Sequence, residues 1–166
     1  MCGNMAAVHD LVIHNGTVVD GTGAPTFVAD VAISDGRIAA IGDVGRGRQS
    51  FDADGLLVTP GFVDIHTHFD GQATWDRHLT PSCWHGVTTA ILGNCGVGFA
   101  PVRPDGHDEL IDLMEGVEDI PGTALADGIT WGWESFAEYL DVLDAIPRAL
   151  DIGTHVPHAS LRSYVM

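Results

Sequence analysis

His66 and His68, one residue apart, and Cys95, set between Asn94 and Gly96, are the residues of this chain best suited by type and placement to chemistry. Neutral imidazoles and a thiolate are good donors for zinc or a similar divalent ion. The His-x-His spacing carries little weight alone, since nine histidines in 166 residues give about 0.5 such pairs by chance. Its context says more. Thr59-Pro60-Gly61 leads into the apolar run Phe62-Val63-Asp64-Ile65-His66, which reads as a short buried strand, although period alone leaves a helix open. On a strand, residues two apart share a side, so His66 and His68 project together and Thr67 points away. They fall at the C-terminal end of the run, where barrel enzymes place their active sites.

Cys95 ends a second run, Val87 to Leu92, in the tight turn Gly93-Asn94-Cys95-Gly96, where the chain can approach a bound ion closely. A lone cysteine is more often a small buried hydrophobe than a ligand. If the two runs are parallel neighbours, however, His66, His68 and Cys95 meet at one rim. Three N/S donors with an open position for water describe a catalytic metal site. Asp64 admits two readings of equal weight: a carboxylate that orients a histidine, or a plain strand-end residue.

The remaining candidates read as structural. His155 and His158 lie near the end of a third strand and suit hydrogen-bonded roles. His78, His85 and His107 fall in helix or loop stretches and are expected to face solvent. Trp75, Trp84, Trp131 and Trp133 suit a core better than an acyl pocket. Cys83 has no partner, and the acids Asp112, Glu115, Glu118 and Asp119 read as a solvated helix face.

The elements that position these residues fall into two parts. Residues 10–58 read as short strands: Asp10 to Val19 with a turn at Asn15-Gly16, then Val28 to Ile33, and Arg37 to Ile41 after Asp35-Gly36. An Asp-Gly pair between alternating runs is a hairpin signal. Gly45 to Arg48 reads as a loop, and Gly55 to Val58 as a last brief strand. Beyond Pro60, Thr80-Pro81 and Gly86 bound a short helical turn. Leu110, Leu113, Met114 and Val117 mark one helix face, and Phe136, Tyr139, Leu140 and Leu143 a second, bounded by Pro147. Ala149 to Val156 reads as a third strand. Strands alternating with helices indicate βαβ units and a parallel sheet. Three strands cannot close a (β/α)8 barrel of about 250 residues, so the chain is expected to be a truncated one. Open sheet edges then predict association or poor solubility.

Composition narrows the partners. The chain is 45% hydrophobic, which suits an ordinary core, and its formal net charge of −16 repels phosphate backbones and anionic lipid. Nucleic acid and membrane surfaces are therefore not expected. Met1 to Met5 lacks the features of a secretion signal, and Cys2 reads as incidental. Three cysteines are too few for a disulfide framework, so a cytoplasmic setting is expected.

The run VTPGFVDIHTHFD resembles the first-strand motif of the amidohydrolase superfamily, and GVTTAILGNCGVGFAPVRP is similar to the second-strand region of its N-acyl-D-amino-acid deacylase branch. DLVIHNGTVVDGTGAP and VAISDGRIAAIGDV resemble that superfamily's small β domain, and HASLR, from His158 to Arg162, also looks familial. The resemblance implies an α/β fold: residues 1–59 as a small β-sandwich segment, and residues 60–166 as the first βα units of a (β/α)8 TIM barrel, incomplete here. It implies one or two Zn2+ ions on His66, His68 and Cys95, the cysteine standing where many related enzymes carry a carboxylated lysine. It implies hydrolysis of a small N-acyl-D-amino acid. Two further ligand histidines, a catalytic aspartate and an arginine for the substrate carboxylate are expected beyond Met166. A dihydroorotase- or hydantoinase-like cyclic amidase is the nearby alternative, disfavoured by Cys95, and a non-catalytic fragment is the other.

Overall fold

The computed structural model describes residues 8–166, and it divides into two compact units at Pro60–Gly61. The readings of Cys2 and of the N-terminal residues Met1 to Met5 lie outside the described residues.

The first unit is one sandwich-like sheet of five strands: β1 (Val8–Val18), β2 (Phe27–Ser34), β3 (Arg37–Gly42), β4 (Arg46–Asp52) and β5 (Leu57–Val58). Their order is β3-β2-β1-β4, with β5 also pairing β1. The β2–β3 hairpin turns at Asp35-Gly36, both with positive φ (52° and 69°), as the Asp-Gly signal required. Two expectations are corrected. Asn15-Gly16 is not a turn but an irregularity within β1, which continues to Val18 with its pairing to β2 shifted between Ile13 and Gly16. A Cβ on Gly16 would collide with Val58, so the chain is close-packed there. The expected loop at Gly45 to Arg48 is instead the start of β4, which runs parallel to β1 from Arg46. Arg46, Arg48, Gln49 and Ser50 are polar, so β4 shows no hydrophobic alternation; its ladder to β1 makes it a strand.

The second unit is a three-stranded parallel sheet, β6 (Phe62–Asp64), β7 (Val87–Leu92) and β8 (Asp151–Thr154), in the order β6-β7-β8. Around it lie α1 (His107–Glu118), α2 (Gly122–Gly128), α3 (Phe136–Asp144) and α4 (His158–Val165), with short 3-10 turns at Gln72–Thr74, Ser82–His85 and Asn94–Gly96. Leu79, Leu92, Phe99, Leu110, Met114, Tyr139, Leu143 and Leu150 are fully or nearly fully buried. Two buried polar side chains of this core are bonded to main chain: Tyr139 donates to the Asp70 carbonyl at 2.8 Å and Trp133 Nε1 to the Phe99 carbonyl at 2.7 Å. Ser135 and Glu138 form a reciprocal capping box at the start of α3.

Here too the structure departs from the pattern. Phe62 and Val63 are 65% and 57% exposed, not buried, because β6 is an edge strand. Val117 and Leu140, read as core-facing, are exposed, and Ile111 is buried in α1. The short α2, with glycine at both ends and one buried leucine, Leu125, is too brief to show a period. Among the described residues no helix is long and apolar enough to cross a membrane.

Candidate metal centre

The two histidines do not lie on β6 itself. The strand ends at Asp64, and His66 to His68 follow in irregular chain. Thr67 sets their direction: it is buried, and its N–H and Oγ1 both donate to the Ile91 carbonyl at 3.1 and 2.8 Å. With Thr67 turned inward against the end of β7, the flanking imidazoles are left on the outer side. The expected alternation therefore holds although the ladder has ended.

A second set of polar groups ties the Cys95 turn to the same segment. Asn94 Nδ2 donates to the carbonyls of Thr67 (3.2 Å) and Ile91 (2.8 Å). Asp70 Oδ1 accepts from the Gly93 N–H at 2.9 Å. Gly93 has φ +74°, and a Cβ there would strike the His155 carbonyl, so only glycine fits where the chain leaves β7. Cys95 itself has φ 52° and ψ 9°, the left-handed region that β-carbon-bearing residues avoid. A turn this constrained holds the thiol at a fixed place.

The outcome is a cluster in which one donor atom each from His66, His68 and Cys95 lies within 4.8 Å of the others. His66 Nε2 is 3.3 Å from Cys95 Sγ, and the two imidazole rings stand 5.4 Å apart, edge to face. His68 Nδ1 is buried and has no hydrogen-bond partner. Ligand atoms about 2.0–2.3 Å from one ion lie roughly 3–4 Å from each other. Two imidazoles and a thiol at these spacings fit zinc or a similar divalent ion.

Asp64 acts on the main chain: its Oδ1 accepts from the His66 N–H at 3.2 Å, closing a turn at the strand end. His155 and His158 are exposed and stand outside the cluster; the His155 N–H continues the β7–β8 pairing to the Leu92 carbonyl. His78 and His85 are exposed, whereas His107 is half-buried, its ring stacked 3.9 Å from that of Trp131. Trp133 is core, and Trp75 and Trp84 are exposed.

Two acids lie beside the cluster: Glu118, expected on a solvated helix face but turned inward instead, and Asp70, which the sequence reading did not single out. Glu118 Oε1 lies 3.1 Å from His68 Nε2, with only 22% and 14% of the two side chains exposed. One signal was available: an acid at the last position of a helix opposes the helix dipole, so a tertiary role should have been sought. Asp70 is almost fully buried, and one carboxylate oxygen, Oδ2, has no partner. Burial pushes its pKa up to about 7, against the lowering effect of the Gly93 N–H, and the Glu118 charge adds to the rise. Nothing in its sequence context distinguished Asp70 from a loop aspartate.

The ends of two parallel strands thus bring imidazole and thiol donors together at one rim. The chain belongs to the amidohydrolase family, whose model matches residues 49–166; a model of the urease alpha-subunit N-terminal domain matches residues 2–61. It is 38% identical over 159 residues to a D-aminoacylase of Alcaligenes xylosoxydans xylosoxydans, covering 95% of this chain and 31% of that protein. A solved D-aminoacylase, studied for the role of its binuclear metal centre, superposes with a TM-score of 0.77 at 37% identity, over 95% of this chain and 31% of its own. The N-acyl-D-glutamate deacylase of Bordetella bronchiseptica, solved with zinc and a phosphonate inhibitor, gives 0.71 and 32% identity, over 96% and 32%. The chain thus spans about a third of the length of these relatives.

Proposed function

We propose that this chain is the metal-binding N-terminal portion of a zinc-dependent deacylase that hydrolyses N-acyl-D-amino acids to a D-amino acid and a carboxylate. In this reading residues 1–59 are the small β domain, and residues 60–166 are the opening βα units of a (β/α)8 barrel completed by later strands. The observation that carries the proposal is the convergence of His66, His68 and Cys95 donor atoms within 4.8 Å.

His66, His68 and Cys95 hold the ion. Bound zinc supplies a Lewis acid that acidifies water and polarises an amide carbonyl. The chain's own contribution is placement. Thr67 turns the two imidazoles outward, Asp64 fixes the His66 main chain, and Asn94 and Asp70 hold the Cys95 turn against the same rim. A thiolate suits a site that must keep an ion while leaving a coordination position open. The group that moves protons and the group that recognises the substrate carboxylate belong to strands outside this chain. Similarity to D-aminoacylase and to N-acyl-D-aspartate and N-acyl-D-glutamate deacylases supports an acyclic N-acyl substrate, and Cys95 weighs against the cyclic-amide alternative.

The test is hydrolysis by the full-length zinc-loaded protein of paired N-acetyl-D- and N-acetyl-L-amino acids and of a hydantoin. Turnover of the D-acyl compounds, lost in Cys95→Ala and kept in Cys83→Ala, is the expected result. Turnover of the hydantoin alone, or activity indifferent to Cys95, refutes the proposal.

A further inference from the structure

Ser160, in the run HASLR that opens α4, is fully buried, and its Oγ donates to the Gly98 carbonyl at 2.7 Å. Gly98 lies three residues beyond Cys95. Between them Val97 is buried, and its N–H donates to the Asn94 carbonyl at 3.0 Å, closing the turn around the cysteine. Residues 93–98 include three glycines, and Gly93 and Gly96 have φ +74° and +76°. Glycine has more backbone freedom than any other residue, so such a turn keeps one shape only where its surroundings impose it. Asp70 does so before the cysteine, at the Gly93 N–H. The connector from β8 to α4 does so after it. A Cβ on Gly98 would come within 2.9 Å of the Pro157 ring, and one on Gly96 would touch the His158 Cβ at 3.6 Å.

From these contacts we infer that Ser160 is a positioning residue of the metal centre: by tying the Gly98 carbonyl to α4, it fixes the Cys95 thiol relative to His66 and His68. The inference rests on the reading of those three residues as metal ligands. Ser160 acts only through the main chain that runs from Gly98 back to Cys95. Among the described residues no other group donates to the Gly98 carbonyl. Removing the hydroxyl therefore leaves a buried acceptor unsatisfied and frees the turn on the side away from Asp70. Partners that hold a metal ligand directly change affinity by about 10–100-fold; Ser160 stands one step further off, so about 10-fold is expected.

The experiment compares wild type, Ser160→Ala, Ser160→Thr and Ser135→Ala in the full-length protein. Cobalt(II) titration reads affinity and the thiolate-to-cobalt absorption band of Cys95, and amide hydrogen exchange of the metal-free protein reads the Val97 N–H. Ser160→Ala is expected to weaken cobalt binding about 10-fold, to shift the thiolate band and to speed exchange at Val97. Ser160→Thr keeps the hydroxyl and restores all three. Ser135→Ala, which removes the cap of α3, lowers stability and moves none of them, so lost stability alone does not produce the effect. A folded Ser160→Ala protein with wild-type cobalt affinity and band overturns the inference. Wild type supplies a test that needs no variant to fold. Val97 and the α4 amide of Leu161, which donates to the Pro157 carbonyl at 3.0 Å, should open together. Val97 protected while Leu161 exchanges freely overturns the inference as well. If wild type takes up no cobalt, the metal reading fails separately, and exchange still decides whether Ser160 holds the turn: Val97 unmoved in Ser160→Ala overturns that too.

Discussion

Cys95 sits in a conformation that costs stability, so replacing it by glycine should strengthen the metal-free fold while destroying the metal site. At φ 52° and ψ 9° the residue is in the left-handed region, which costs a β-carbon-bearing residue roughly 1–2 kcal/mol. Glycine removes that cost but gives the unfolded chain extra freedom worth about 0.4–1 kcal/mol. The thiol is exposed, so little burial is lost. The expected net gain is about 0.5–1 kcal/mol, a rise of roughly 1–4 °C in the melting temperature for a chain of this size. Cys95→Ala keeps the strained backbone and should melt near wild type. Both variants lose the thiolate. Apparent zinc-binding energies of about 10–16 kcal/mol over four ligands imply about 3 kcal/mol for each, or some 100-fold in affinity. Thermal unfolding followed by circular dichroism with chelator present gives the first quantity, and zinc competition against a chromophoric chelator gives the second. A Cys95→Gly protein that melts lower than wild type without metal would show that the cysteine is there for packing. Zinc affinity unchanged in both variants would remove it from the site.

Two further outcomes follow from particular contacts. The folded chain keeps on Asp70 a proton that the unfolded chain releases above about pH 4, so metal-free stability should fall as pH rises from about 4 towards 7 and then level off. Asp70→Asn should flatten that dependence, as chemical denaturation at several pH values would reveal; a slope unchanged in the variant would refute the assignment. Ser135→Ala removes the N-cap of α3 and its bonds with Glu138. It should cost about 1 kcal/mol, a lowering of some 2–4 °C in a thermal melt, with zinc affinity unaltered.

The path of the chain was legible where signals are local. Val87 to Leu92 is a strand with the expected bounds. Asp35-Gly36 makes its hairpin, and Gly86, with φ 83°, closes the short helical turn after Pro81. These elements rest on backbone preferences and apolar runs, which act over a few residues. The errors have a common cause in non-local contacts. The polar β4 is a strand because β1 offers it a ladder, and Val117 and Leu140 share an apolar spacing with buried neighbours yet face away from them. Periodicity marks a face but does not say where the neighbours end.

The same division runs through the metal centre. Residue type and spacing selected His66, His68 and Cys95, because few side chains bind a divalent ion and the strand-end context restricts them further. That selection is chemistry, and chemistry is written in the sequence. Only the tertiary structure decided that β6 and β7 are parallel neighbours, that Thr67 turns inward so that both imidazoles turn out, and that Asp70 and Glu118 close on the cluster from 23 and 50 residues away along the chain from Gly93 and His68. A hydrogen bond between residues so far apart depends on the path of everything between them, and no local pattern of residues encodes that path.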